Sequence, residues 1–149
     1  MSTVATEIQK GKWNLFYPTA VAYTIGCKKF IFGQSSTNNN RMYIQEIFQN
    51  GEIGVAETYN DGWETYYDFV TVIDDNVKKI LFCYSKKDNK IQISELTQDG
   101  KLKILNIESS LPTNLKVITP YVNNGNLLIY SQDESTRGWT IFNCGKIIY

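Results

Sequence analysis

The sequence predicts an all-β protein built from three copies of one structural unit. Its 149 residues contain alternating runs of β-branched and aromatic side chains, and no segment keeps a helical period. Each copy contains an apolar run that ends in serine, at residues 30–35, 80–85 and 127–131. A tryptophan precedes the first two runs, as Trp13 and Trp63. Self-similarity at a period of about 45–50 residues, with several short strands per unit, is typical of a propeller or a trefoil.

The strands of each copy are delimited by turn signals such as Asn50-Gly51 and Asp99-Gly100. In the first copy we predict strands at residues 17–23, 29–34, 41–48 and 52–59. The second copy has them at 67–73, 79–85, 90–97 and 101–107. The third has them at 115–121, 126–131 and 137–143, with a fourth that only begins at residue 146. Residues 1–149 are therefore expected to form a single repeat domain, with copies at about 13–62, 63–110 and 111–149.

The strand missing from the third copy has a counterpart near the beginning of the sequence. Val4-Ala5-Thr6-Glu7, which leads to Trp13, matches Val55-Ala56-Glu57-Thr58, which leads to Trp63. We therefore expect residues 2–12 to complete the last repeat. Propellers have about four to eight blades, so three do not close a ring. The expected assembly is a homodimeric, six-bladed β-propeller with exchanged terminal strands, and the alternative is a monomeric β-trefoil.

Composition excludes several classes of partner. The formal net charge is zero and the chain has no basic block, which argues against nucleic acid and anionic membrane as partners. No apolar stretch reaches the roughly 18 residues that cross a bilayer, so membrane insertion is not expected. Residues 1–12 lack the apolar core of a signal peptide. We expect the protein to be cytoplasmic, or to be released without a signal peptide.

The reactive residue types also argue against catalysis. The chain has no histidine, the commonest general base and metal ligand, and it has no acidic cluster. Its three cysteines, Cys27, Cys83 and Cys144, are far apart and form no CxxC pair, so we interpret them as reduced thiols. We therefore expect no enzymatic activity, no metal and no cofactor.

Eight side chains are candidates for ligand binding. Three cations occupy similar positions in the three copies, eight or ten residues before a turn glycine. Two residues after each cation comes a polar or aromatic side chain, which gives the pairs Arg41 with Tyr43, Lys90 with Gln92, and Arg137 with Trp139. A guanidinium beside an aromatic ring suits a sugar or a carboxylate, although these cations could equally be solvated surface. Trp13 and Trp63 could stack on sugar rings, or they could be core wedges between sheets.

Parts of the second copy resemble the blade repeat of tachylectin-like and other fungal and bacterial propeller lectins. In those families a Gly-Trp pair opens the blade, an LLFY-like strand follows, and a D-G-x-L turn closes it. The corresponding residues here are Gly62-Trp63, Ile80-Leu81-Phe82-Cys83-Tyr84 and Asp99-Gly100-Lys101-Leu102. The first copy departs from the pattern at Lys12 and Gln34, and the third has Leu111 where Trp63 stands.

The resemblance implies a carbohydrate-binding lectin without catalytic activity. Shallow sites between neighbouring blades would recognise glycans or glycoproteins, and several linked sites would bind multivalently. Since Leu111 replaces the tryptophan, one such site in the third copy is in doubt. The alternative interpretation is a structural or protein-binding propeller that does not recognise sugar.

Overall fold

The computed structural model describes residues 4–54, 62–76, 78–105, 111–112 and 115–149. Three small antiparallel sheets of three, four and three strands account for its secondary structure, and these residues contain no helix. The predicted all-β class is confirmed. Over the same ranges, no helix has the length and apolarity needed to cross a bilayer.

Each sheet is a meander in which strands adjacent in the chain pair with one another. Sheet 1 contains β1 (Thr19–Ile25), β2 (Lys28–Gln34) and β3 (Met42–Ile47). Sheet 2 contains β4 (Phe69–Asp74), β5 (Lys79–Ser85), β6 (Lys90–Leu96) and β7 (Leu102–Leu105). Sheet 3 contains β8 (Val117–Asn123), β9 (Asn126–Gln132) and β10 (Trp139–Lys146).

The observed strands follow the predicted ones closely, because hydrophobic alternation and turn residues specify both. The turn between β8 and β9 is Asn124-Gly125, with φ values of 51° and 77°. Two successive positive φ angles form the tight hairpin turn that an Asn-Gly pair favours. The predicted strand at 52–59 is represented by one bridge between Ile53 and Ile47. Residues 55–61, and the end of the predicted strand at 101–107, lie outside the described residues.

Each sheet has two faces. We call the face that points toward the next sheet in the chain, or its equivalent in sheet 3, the forward face, and the face that points toward the preceding sheet, or its equivalent in sheet 1, the rear face. The forward faces contain, along the second strands, Phe30 and Phe32 in sheet 1, Ile80, Phe82 and Tyr84 in sheet 2, and Leu128 and Tyr130 in sheet 3. The rear faces contain Ile31 and Gly33, then Leu81 and Cys83, then Leu127 and Ile129.

The sheets stack in chain order, forward face on rear face. One core joins Phe32 of sheet 1 to Leu81 and Cys83 of sheet 2. A second core joins Phe82 of sheet 2 to Ile129 of sheet 3. Sheet 2 is therefore covered on both sides, which explains why β5 is apolar at consecutive positions instead of alternating. The main backbone contacts between sheets join the first strands, β1 to β4 and β4 to β8.

A short segment precedes the first strand of each sheet, and we call these segments straps. The first strap, residues 13–18, precedes β1, the second, residues 63–68, precedes β4, and the third begins at Leu111. Gln34 is fully buried and binds the second strap: its Nε2 donates to the Thr65 carbonyl (3.2 Å), and its Oε1 accepts from the Tyr67 N–H (2.9 Å). This buried amide thus ties the second strap to the end of β2.

Two asparagines with left-handed backbone link sheets 1 and 2 to the straps that follow them. Asn40 (φ 57°) donates through Nδ2 to the Trp63 carbonyl at 2.9 Å. Asn89 (φ 49°) donates in the same way to the Leu111 carbonyl. Asparagine tolerates this backbone conformation better than most residues. Because Trp63 and Leu111 begin equivalent straps, the repeated bond sets the position of each next sheet.

Residues 4–12 contain no strand. They run beside sheet 1, where the Gln9 side-chain amide exchanges two hydrogen bonds of 2.8 Å with the backbone of Ile53. Completion of the third repeat by residues 2–12 is thus not seen within one chain, and residues 1–3 lie outside the described part. It stays a prediction about two chains.

The predicted equivalence of Arg137 with Arg41 and Lys90 is wrong. Lys90 pairs with Ser85, whereas the corresponding Ser131 pairs with Thr140. The loop before β10 occupies residues 133–138, against 86–89 in sheet 2, and this extra length displaces Arg137 into the loop. Gly145 likewise lies within β10, where the register shifts, and not in a turn after it.

Candidate ligand-binding clefts

An open cleft of about 610 Å³ lies at the boundary between sheets 1 and 2. Three segments form it: the loop between β2 and β3, the second strap, and the loop between β5 and β6. The residues that line it are almost all polar: Ser36, Asn40, Glu64, Tyr66, Asp68, Ser85, Lys86, Lys87 and Asp88. We call it the polar cleft.

The walls of the polar cleft are held by the sheets behind them. Asp68 Oδ1 accepts a hydrogen bond from the Lys86 N–H at 2.8 Å, which connects the strap to the loop of sheet 2. The Tyr66 hydroxyl hydrogen-bonds Thr19 Oγ1 at the start of β1, which connects the strap to sheet 1. The cleft is therefore bounded on both sides by groups with fixed positions, as a pre-formed binding site requires.

The polar cleft offers both acceptors and donors. Glu64, Asp68 and Asp88 supply carboxylate oxygens, and Lys86 and Lys87 supply ammonium donors, all on exposed side chains. Tyr66 is half-buried and adds an aromatic ring to the lining. Such a surface can bind several hydroxyl groups of one small polar ligand at the same time.

The predicted residues Trp63, Lys90 and Gln92 do not enter this cleft. The Trp63 ring stacks on Phe32, with centroids 5.7 Å apart, and meets Tyr67 edge-on at 5.5 Å, so it packs against the core between sheets 1 and 2. The Tyr67 hydroxyl donates to Gln92 Oε1 at 3.1 Å. Burial raises the pKa of Tyr67 to about 12, so this donor keeps its proton at neutral pH. Lys90 is exposed at the start of β6.

The first strap brings Trp13 and Tyr43 together on the rear face of sheet 1. Their rings are 5.6 Å apart, and Tyr17 meets Tyr43 edge-on at 4.8 Å. Tyr43 lies over Gly33, where an added Cβ would come within 2.3 Å of the ring. Arg41 is half-buried at the residue before β3. A shallow aromatic pocket of about 510 Å³ is lined by residues 12–17 and Tyr43.

The remaining predicted residues, Arg137 and Trp139, lie at the loop end of sheet 3. Trp139 is 66% exposed and stacks on Tyr130 at 6.5 Å. The loop is ordered by Asp133, whose Oδ1 accepts from the Thr136 N–H at 2.9 Å, and this bond lowers the pKa of the carboxyl group. An open cleft of about 430 Å³ adjoins it, lined by Lys116, Val117, Gln132, Asp133, Glu134 and Arg137.

No protein-family model, no curated protein and no solved structure matches this chain. The arrangement of its own residues therefore has to support any function.

The lining of the polar cleft could not be found by searching for repeated residues. The first strap has Asn14 and Pro18 where the second has Glu64 and Asp68, so the two carboxylates occur in one copy only. Tyr66 was the available signal, since it belongs to the aromatic cluster that follows Trp63. The eight predicted residues fall into three separate groups, and the structure joins Trp13 to Tyr43 but not to Arg137 or Trp139.

Proposed function

We propose that this protein is a non-catalytic carbohydrate-binding lectin whose glycan site is the polar cleft. The observation that supports this most directly is the position of the cleft between neighbouring sheets, with exposed carboxylates, ammonium groups and Tyr66 on its walls. Carboxylate oxygens can accept hydrogen bonds from adjacent sugar hydroxyls, and such charge-assisted bonds are roughly twice as strong as neutral ones. The face of an aromatic ring such as that of Tyr66 can pack against the apolar C–H side of a sugar ring.

The architecture that goes with this proposal is a β-propeller whose blades are sheets 1, 2 and 3. Three features support it over a trefoil. The described strands pair only within their own copy, the sheets stack face to face in chain order, and the first strands lie closest together. Two chains would supply the six blades of a closed ring. The likeness to tachylectin-like lectins belongs to the same proposal.

A dimeric ring would carry two polar clefts and so bind multivalent glycans with avidity. The boundary at the first strap has a different lining, because that strap presents Phe16 and Pro18 where the second presents Tyr66 and Asp68. The sites in one chain are therefore not copies of each other, and the polar cleft is the one we assign to glycan.

A glycan array with the labelled protein, followed by calorimetric titration of the best binder, tests the proposal. Glu64→Gln removes an exposed carboxylate of the cleft, and we expect about tenfold or greater loss of affinity. Glu46→Gln makes the same change at the opposite end of sheet 1 and should bind as the parent does. Array signals at background, or equal losses in both variants, would refute the assignment.

A further inference from the structure

The forward face of sheet 3 is mainly apolar, with Thr119, Gln132 and Asn143 as its polar members, and no other described sheet packs on it. Trp139 is 66% exposed, Ile141 48% and Val117 37%, and the three lie on one face with Leu128 and Tyr130. A contiguous patch of this kind on a protein surface usually marks an interaction site. Its position in the repeat indicates what binds there.

The same face is buried in the other two sheets. On the forward face of sheet 1, Phe32 is fully buried by sheet 2. On that of sheet 2, Phe82 is fully buried by sheet 3. Leu128 and Tyr130 have the same facing in sheet 3, so the surface complementary to them is the rear face of another sheet of this kind.

Sheet 1 presents such a rear face together with its strap. Between sheets 1 and 2, the strap residue Trp63 contacts Phe32 of the preceding sheet, while Tyr67 reaches Gln92 of the following sheet. In the first strap, Tyr17 contacts Tyr43 of the following sheet in the same manner. Trp13, however, meets no preceding sheet in the described chain and lies on Tyr43 instead. The contact with a preceding sheet that Trp63 makes is therefore not made by Trp13 within the described part of the chain.

Phe16 points to the same missing neighbour. Its equivalent, Tyr66, bonds to Thr19 at the start of the first strand of the preceding sheet. Phe16 is 81% exposed, and the start of β8 carries the exposed Val117. The hydrogen-bonded pair of Tyr66 and Thr19 within one chain would thus correspond to an apolar contact between Phe16 of one chain and Val117 of the other.

We infer that the forward face of sheet 3 is the docking surface for the first strap and rear face of sheet 1 in a second copy of this chain. Two copies related by a twofold axis form this junction twice and close a ring of six sheets. Each junction continues the packing that already joins sheets 1, 2 and 3.

The edge of sheet 3 fits the same arrangement. Sheet 2 carries β7 beyond its third strand, whereas β10 is the edge of sheet 3. Residues 4–12 lead directly into the first strap, as β7 leads towards the strap that begins at Leu111. We expect these residues, which run beside sheet 1 in the single chain, to pair with β10 of the other copy in the dimer and cover its edge.

Light scattering of the full 149-residue chain across a concentration series tests the inference. The parent should have twice the chain mass of 17.1 kDa. Ile141→Glu and Phe16→Ser alter the two sides of the junction at residues that are exposed in a single chain. We expect each substitution to weaken binding at a junction about tenfold. Because the closed dimer contains two such junctions, the dissociation constant of the dimer should rise about 100-fold. Far-UV circular dichroism should not change.

Matched controls are available for both variants. Ile104 is 53% exposed on β7 and Phe48 is 50% exposed after β3, so Ile104→Glu and Phe48→Ser should stay dimeric. A parent that is monomeric throughout overturns the inference. So does a Phe16→Ser variant that stays dimeric while Ile141→Glu dissociates, because two sheet 3 faces would then pair with each other. A mass that grows past two chains overturns the closed ring.

The inference rests on the blade architecture of the proposed function but not on glycan binding. A dimer that ignores every glycan refutes the lectin alone, and a monomer that binds glycan through Glu64 refutes the docking surface alone.

Discussion

Replacing Gln34 with leucine should weaken the attachment of the second strap to sheet 1 and so lower the free energy of unfolding. Gln34 is fully buried at the end of β2, and its amide binds the backbone of the second strap at Thr65 and Tyr67. Leucine has a similar volume but neither donates nor accepts a hydrogen bond. The substitution therefore leaves one carbonyl and one N–H of the strap without their partner.

The expected magnitude follows from those two groups. A buried polar group that loses its partner costs about 1–3 kcal/mol, and the added apolar surface of leucine offsets part of the sum. We expect a net loss of about 3 kcal/mol in the free energy of unfolding. For a chain of this size, that corresponds to a melting temperature lower by about 6–12 °C.

Equilibrium urea unfolding followed by tryptophan fluorescence measures this loss, since Trp63 lies on the strap itself. Gln49→Leu is the matched control, because Gln49 is exposed in the turn after β3 and should shift stability by less than about 0.5 kcal/mol. A loss below about 1 kcal/mol for Gln34→Leu would show that its amide does not hold the strap.

Two further predictions concern the rear faces of sheets 1 and 2. Gly33→Ala should destabilise the fold by about 1–3 kcal/mol and change the near-UV circular dichroism, because the new Cβ would come within 2.3 Å of the Tyr43 ring. Gly54→Ala is the control: its nearest neighbour would be 3.5 Å away, so the substitution should be near neutral. Burial raises the pKa of the Cys83 and Cys144 thiols, while Cys27 is exposed, so iodoacetamide at about pH 8 should alkylate Cys27 and spare the two buried thiols until denaturant is added. Intact-mass spectrometry counts the adducts and peptide mapping assigns them, and labelling of Cys27 and Cys83 at one rate would contradict the packing of β5.

Strand positions could be read from the sequence because each depends on local signals. β5 occupies the residues predicted for it, from Lys79 to Ser85. The unit as a whole is also visible in sequence, since the buried serines Ser35, Ser85 and Ser131 mark the same point in every copy. These features follow from the period of two along a strand.

Loop length and non-repeated polar residues could not be read in the same way. Arg137 lies in the longer loop before β10 and not at the predicted strand position. The sequence pattern gave no signal of the longer loop, because extra loop residues leave the alternation within the flanking strands unchanged. Glu64 and Asp68 come together with Asp88 only through the stacking of sheets 1 and 2. Trp63 could be core or ligand from sequence, and its contact with Phe32 supports the core interpretation.

The asparagine bonds from Asn40 and Asn89 to the following straps have a consequence for how such a chain can evolve. Sheets 1 and 2 each carry the asparagine that binds the strap of the next sheet, and sheets 2 and 3 each pack with their rear face on the preceding sheet. A gene duplication that adds one unit therefore introduces no unfamiliar interface. Selection then has only to adjust the angle per unit until the last meets the first.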